Sequence, residues 1–174
     1  MNGSTTMSTF MSTLHFAPMS DEDFTSFWPT FKAIVEAQET YAIDPDISFE
    51  AARELWCSTP KTSVVVKDEH DHILGAYYLK ANAAGPGDHI CNCGYMVTPA
   101  ARGKGVARAM CEHSQAQAKE LGFQAMQYNA VVATNEVAVT LWQKLGFQIV
   151  GTVPNAYRHA RLGFVETHVM YKAL

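Results

Sequence analysis

The sequence predicts an α+β fold: one mixed central sheet of about six to seven strands flanked by about four helices. Three observations carry this. Short apolar or β-branched runs alternate with helical patterns, but not in the regular order of a doubly wound domain. The runs at residues 62–67 and 73–80 are joined by the polar turn 68–71 and read as an antiparallel hairpin. The run at 89–97 passes through a glycine-rich basic turn into a helix and then another strand, which makes one βαβ crossover.

In chain order, residues 14–19 form the first strand. Ser20, Asp21, Glu22 and Asp23 then resemble a capping box, in which a hydroxyl takes one free N–H and an acid takes another. The helical sequence it opens includes Phe24, Phe27, Trp28, Phe31 and Val35, with a break or new first turn expected at Pro29, which has no N–H to give. Residues 47–56 form a short helix that ends near Pro60. Residues 82–88, with two glycines and a proline, are a loop. From the glycine turn to about Leu121 the pattern is helical, with Val106, Met110, His113 and Gln117 on one side and Gly122 as its stop. Residues 124–132 are a strand, and 135–145 a helix stopped by Gly146. Residues 147–153 and 165–171 are the last strands, separated by a polar, aromatic loop over 154–163.

The bulk numbers bound the function. A chain of 174 residues can bury a sizeable core, and residues 14–174 are expected to be a single domain behind a poorly ordered lead-in at 1–13. With 48% hydrophobic and 17% charged residues the composition is not that of a disordered chain. A net charge of -4 argues against a general nucleic-acid or membrane binder. No run approaches the roughly 18 apolar residues that span a bilayer. The lead-in has no basic segment followed by an apolar one, so it does not read as a signal peptide. Cys57, Cys91, Cys93 and Cys111 are expected to be reduced thiols of a cytoplasmic protein. Cys91 and Cys93 share a strand face with His89, but a fourth ligand at suitable spacing is missing, so no metal is expected.

The chemistry concentrates in residues 97–107. There Gly103 and Gly105 permit unusual dihedrals, and Arg102, Lys104 and Arg108 make the turn electropositive. N–H groups gathered at a helix start hold a phosphate or pyrophosphate. The turn lacks the G-x-x-x-x-G-K-[ST] of a nucleotide hydrolase and the third glycine of a dinucleotide site.

Arg102-Gly103-Lys104-Gly105-Val106-Ala107 matches the R/Q-x-x-G-x-G/A signature of the GCN5-related N-acetyltransferases, the GNAT superfamily. A second block, Asn135 through Ala138 and Trp142 to Gly146-Phe147, is close to N-x-x-A-x-x-L-Y-x-K-x-G-F, and the C-terminal strand is also similar. This resemblance implies acetyl-CoA as co-substrate, with the pyrophosphate on the turn from Arg102 to Ala107. It also implies that the strand before the turn carries a bulge and splays from its neighbour, so that Met96 and Val97 meet the pantetheine arm. Asn135, Ala138 and Trp142 would border the thiol end. Trp142 is a departure, because many members have a tyrosine there as the presumed acid for the departing thiolate. An indole N–H donates a hydrogen bond but is no ordinary acid. A thiol of pKa about 8.5 can leave as thiolate; Tyr157, Cys93 and Tyr95 are the other donors considered.

On the acceptor side, Asn92, Asn129 and Asn135 match in spacing a narrower branch that acetylates azetidine-2-carboxylate and related proline analogues. That resemblance places Asn129 and Asn135 with the reacting groups and Asn92 and Asn129 against the acceptor. Strand-end hydrogen bonds for Asn92 and Asn129 and a helix N-cap for Asn135 are the structural alternatives. Phe27, Trp28, Phe31, Glu39, Thr40 and Tyr41 would wall the acceptor, unless the aromatics simply pack the core. Two arginines in the late loop, Arg158 and Arg161, could recognise a carboxylate near Tyr157. Asp88, His89 and Glu39 are possible bases, with a water relay as the alternative. The expected function is direct acetyl transfer to a small amine, an amino acid or toxic proline analogue. A peptide or protein N-terminal acetyltransferase and a non-catalytic acyl-CoA sensor remain open, and a homodimer is a family-level expectation.

Overall fold

The structure, a computed structural model, describes residues 13–174; apart from Thr13, the lead-in lies outside the described residues. Seven strands, β1 His15–Pro18, β2 Thr62–Lys67, β3 Ile73–Ala81, β4 Ile90–Val97, β5 Ala125–Val132, β6 Gln148–His159 and β7 Gly163–Ala173, form one sheet in the order β1-β2-β3-β4-β5-β7-β6. Only β4 and β5 run parallel, and α3 (Val106–Glu120) crosses over between them. The other helices are α1 (Asp21–Ala37), α2 (Phe49–Arg53), which runs on as a π-helical turn at Glu54–Ser58, and α4 (Glu136–Lys144). The mixed α+β architecture read from the sequence is the one the chain adopts. No helix among the described residues is long and apolar enough to cross a membrane.

The capping box forms as expected: Ser20 Oγ accepts from the Asp23 N–H at 3.0 Å, and the Asp23 carboxylate accepts from the Ser20 N–H at 3.0 Å. The break at Pro29 does not occur, and α1 runs through it. Phe24 and Phe27 before the proline and Phe31 and Val35 after it all sink into one core. Phe31 meets Phe24 at 6.0 Å and Trp56 at 5.6 Å, edge to face. Packing on both sides outweighs the roughly 3 kcal/mol that an interior proline costs.

Alternation along β3 and β4 divides the sheet into two faces. Ala76 and Met96 pack with α1 and Trp56, while Tyr77, Leu79, Cys91 and Cys93 pack with α3 and Trp142. The buried stripe of α3 is Val106, Ala109, Met110, Cys111, Ser114 and Ala118, which leaves His113 and Gln117 at its margin rather than on it. His113 stacks on Phe16 at 4.0 Å, and its Nδ1 lies 2.7 Å from the Tyr77 hydroxyl. Burial pushes its pKa below the ordinary value. Between that lowered value and the unfolded value of about 6.5, the unfolded chain binds a proton that the folded chain refuses, so stability rises with pH across this window. Thermal melts should therefore show Tm falling as pH drops from 7 to 5, with a flatter slope in His113→Gln; an unchanged slope would clear His113 of this role.

The loop expected over 154–163 is largely strand. β6 continues to His159, and only residues 160–162 turn before β7. Every β6 residue before Tyr157 is exposed, so no two-residue burial period marks the strand. Its pairing with β7 also shifts register twice, and Asn155 sits at φ +53°.

Candidate active site

β4 and β5 pair at Ile90↔Ala125 and Cys91↔Met126 and then part. A bulge in β4 was the expected cause, but β4 runs against β3 without a shift from Cys91 to Val97. The irregularity lies in β5, between Tyr128 and Val131. Side chains occupy the gap. Asn92, the first residue past the paired stretch, donates from Nδ2 to the Gln127 carbonyl at 2.9 Å, and its Oδ1 accepts from the Tyr78 hydroxyl at 3.1 Å. The backbone ladder ends where this amide bridge begins.

Farther along, the segment after α1 brings Tyr41 onto β4. Its hydroxyl accepts from the Tyr95 N–H at 2.8 Å and donates to the Tyr95 carbonyl. Burial holds this phenol far above the ordinary tyrosine pKa, so it stays protonated for that second bond. Tyr157, buried on β6, donates to the Tyr41 carbonyl at 3.1 Å and braces the segment from behind.

The parted strands enclose a cleft of about 430 Å³. Among the residues named from sequence, Thr40, Tyr41, Asn92, Cys93, Tyr95, Val97, Ala107, Asn129, Asn135, Ala138 and Trp142 line it. Met96 is buried in the core with α1 and Trp56, and Phe27 is 1% exposed in the same core; neither lines the cleft, and nor does Tyr157. Arg161 pairs with Glu39 at 3.1 Å, and both arginines of the β6–β7 segment lie outside the cleft wall. Trp56, Tyr78, Lys80, Tyr95 and Tyr128 line it without having been singled out as acceptor contacts. The π-helical turn that carries Leu55 and Trp56 into the wall had no signal except the nearby Pro60.

At one end the wall runs into the glycine turn. Gly103 and Gly105 take φ +73° and +80°, and Gly105 caps α3 without a side chain. Among the described residues no backbone acceptor takes the N–H groups of Val106, Ala107 or Arg108, the ordinary state of a helix's first turn. Arg108 pairs with Glu112 at 3.1 Å, whereas Arg102 and Lys104 are exposed and form no ion pair among the described residues. This cradle fits an anionic group.

Asn135 caps α4, its Oδ1 accepting from the Ala138 N–H at 3.4 Å. Asn129, in the bulge of β5, accepts from Gln127 Nε2 at 3.0 Å and donates to Asn82 Oδ1 at 2.7 Å. The Trp142 indole rests on Tyr95 and Tyr128, with ring centres 5.0 and 5.3 Å away. The Tyr95 hydroxyl is bonded to Ser114 at 2.7 Å and to Tyr128 at 2.9 Å. Burial pushes the Tyr95 and Tyr128 phenols and the Cys93 thiol well above their ordinary values. These groups stay protonated and can donate hydrogen bonds to a departing thiolate. No carboxylate or imidazole lines the cleft among the described residues, and Asp88, His89 and Glu39 are outside it.

A model of the acetyltransferase (GNAT) family matches residues 24–147, which takes in the parted strands, the turn and α4. The chain belongs to the GNAT acetyltransferase family. A GCN5-related N-acetyltransferase from Kribbella flavida superposes with a TM-score of 0.89 at 44% identity, covering 94% of this chain and 99% of that one. The N-acetyltransferase aca1 of Schizosaccharomyces pombe is 29% identical over 151 residues, covering 78% of this chain and 72% of its own. The phosphinothricin acetyltransferase of Sinorhizobium meliloti, solved with AcCoA, shares the fold at 20% identity and a TM-score of 0.81, covering 93% and 89% of the two chains. This GNAT is thus an acyltransferase with acetyl-CoA as co-substrate.

Proposed function

We propose that this GNAT transfers acetyl directly to the amine of a small molecule, an amino acid or a toxic proline analogue, as a cytoplasmic detoxifying enzyme whose domain spans residues 14–174. The observation that carries the reading is that Asn92, Asn129 and Asn135 share one cleft with the start of α3. In this reading the backbone N–H groups of the turn, with Arg102, Gly103, Lys104, Gly105, Val106 and Ala107, hold the pyrophosphate. The backbone edge at Val97 meets the pantetheine arm and its N–H polarises the thioester carbonyl, while Met96, whose backbone faces β3, supports that edge from the core. Asn135, Ala138 and Trp142 border the sulfur.

Asn92 and Asn129 face the acceptor, Tyr41 closes over it, and Tyr157 and Phe27 act from behind by fixing Tyr41 and α1. With no base in the cleft wall, the ammonium of the acceptor gives its proton to water before attack. The thiolate leaves as such, met by hydrogen-bond donors rather than by an acid. Thiol release from acetyl-CoA, measured across amino acids, proline analogues, polyamines and peptides, tests this. Turnover with small amino acids supports it, and a KM for them raised in Asn129→Ala assigns the acceptor end. Turnover with peptides alone, or acetyl-CoA binding without turnover on any amine, overturns it.

A further inference from the structure

Among the described residues that line the cleft, Lys80 alone carries a charged side chain; the others are apolar, amides, hydroxyls or a thiol held neutral by burial. The protein as a whole is acidic, at -4, yet among the described residues no carboxylate lines the cleft with this ammonium. Among the described residues Lys80 takes part in no ion pair. Its Nζ lies 5.4 Å from the centre of the Tyr78 ring, which steadies the side chain without neutralising it.

The strand register fixes which end of the cleft this charge serves. Lys80 pairs with Asn92, and Tyr78, whose hydroxyl reaches Asn92, precedes it on the same face. From Asn92 to Val97 a strand advances roughly 17 Å, so Lys80 is remote from the glycine turn and its anion cradle. The same wall contains Trp56, whose buried indole N–H has no acceptor among the described residues. The wall away from the turn therefore holds a charge without a counter-charge and a donor without an acceptor.

We propose that Lys80 is the specificity residue of the acceptor end and pairs with a carboxylate carried by the acceptor. This rests on the reading of the cleft as the site of acetyl transfer to a small amine. Two consequences follow from one charge. Amines that lack an anionic group leave Lys80 uncompensated, and polycations are repelled. The ammonium form of a bound acceptor is also disfavoured beside a fixed positive charge, which favours the neutral amine that attacks.

The test uses matched acceptors, azetidine-2-carboxylate and proline against their carboxamides, with the wild type, Lys80→Met and Lys80→Arg. The wild type should prefer the acid over the amide by about 10- to 100-fold in kcat/KM, the range for a charge-assisted hydrogen bond. Lys80→Met should lose that preference through a raised KM for the acid, with the amide and the KM for acetyl-CoA unchanged. Lys80→Arg should restore most of it. Equal use of acid and amide by the wild type, or a preference that survives in Lys80→Met, overturns the role of Lys80 and leaves the small-acceptor reading standing. Inert acids and amides together with turnover on peptides overturn both.

Discussion

Gly105→Val is expected to raise the KM for acetyl-CoA by roughly 10- to 100-fold while leaving the acceptor KM close to that of the wild type. Gly105 sits at φ +80°, where a β-branched side chain is strained by about 1–3 kcal/mol. The backbone can relieve that strain by rotating out of the left-handed region. Doing so re-aims the N–H groups of Val106 and Ala107 that follow it, and those groups have no side chain to hold them in place. The variant should keep its fold, because α3 is anchored by Met110, Cys111 and Ala118 rather than by its first turn. Steady-state kinetics with each substrate varied in turn decides the matter. An acetyl-CoA KM within about twofold of wild type would show that the turn is not the cradle.

Asn92→Leu should be the most destabilising polar substitution at the site. Leucine is close to asparagine in size but bonds nothing, so the Tyr78 hydroxyl and the Gln127 carbonyl each lose their partner. Leaving such groups unsatisfied costs about 1–3 kcal/mol each. For a chain of this length that corresponds to a Tm lower by roughly 5–15 °C. Burial holds the Tyr78 phenol up at about 12, so it cannot ionise to escape the loss. Asn92→Asp offers a control, since its carboxylate still accepts from Tyr78 but cannot donate to Gln127. Calorimetry should place it between the two, and a Tm for Asn92→Leu equal to wild type would mean that the bridge holds nothing together.

What could be read from sequence depended on whether the signal was local. The capping box at Ser20, the stops at Gly122 and Gly146 and the turn around Gly103 and Gly105 are rules about neighbouring residues, and each formed. Pro29 misled because its local cost is offset by Phe24 and Phe31, partners brought together only by the fold. The second half of β6 was hard to see because every residue from Gln148 to Ala156 is exposed and burial returns only at Tyr157 and His159. The amides at 92, 129 and 135 were noticeable as polar residues in or beside strands, but their bonds to Gln127, Asn82 and Ala138 follow from strand order. Lys80 carried no signal at all: a lysine near the end of a strand reads as ordinary solvated charge, and only the register with Asn92 puts it in the cleft.

Tyr41 and Asn92 have a further consequence for how the two strands stay apart. Two strands with free edges lying side by side would ordinarily zip together, and here the rungs at Gln127 and Tyr95 are already taken. The amide of Asn92 holds the Gln127 carbonyl, and the phenol of Tyr41 holds both backbone groups of Tyr95. The gap is therefore a satisfied ground state and not a wound held open by strain. A ligand entering it finds the doorway already standing and spends none of its binding energy on opening the sheet.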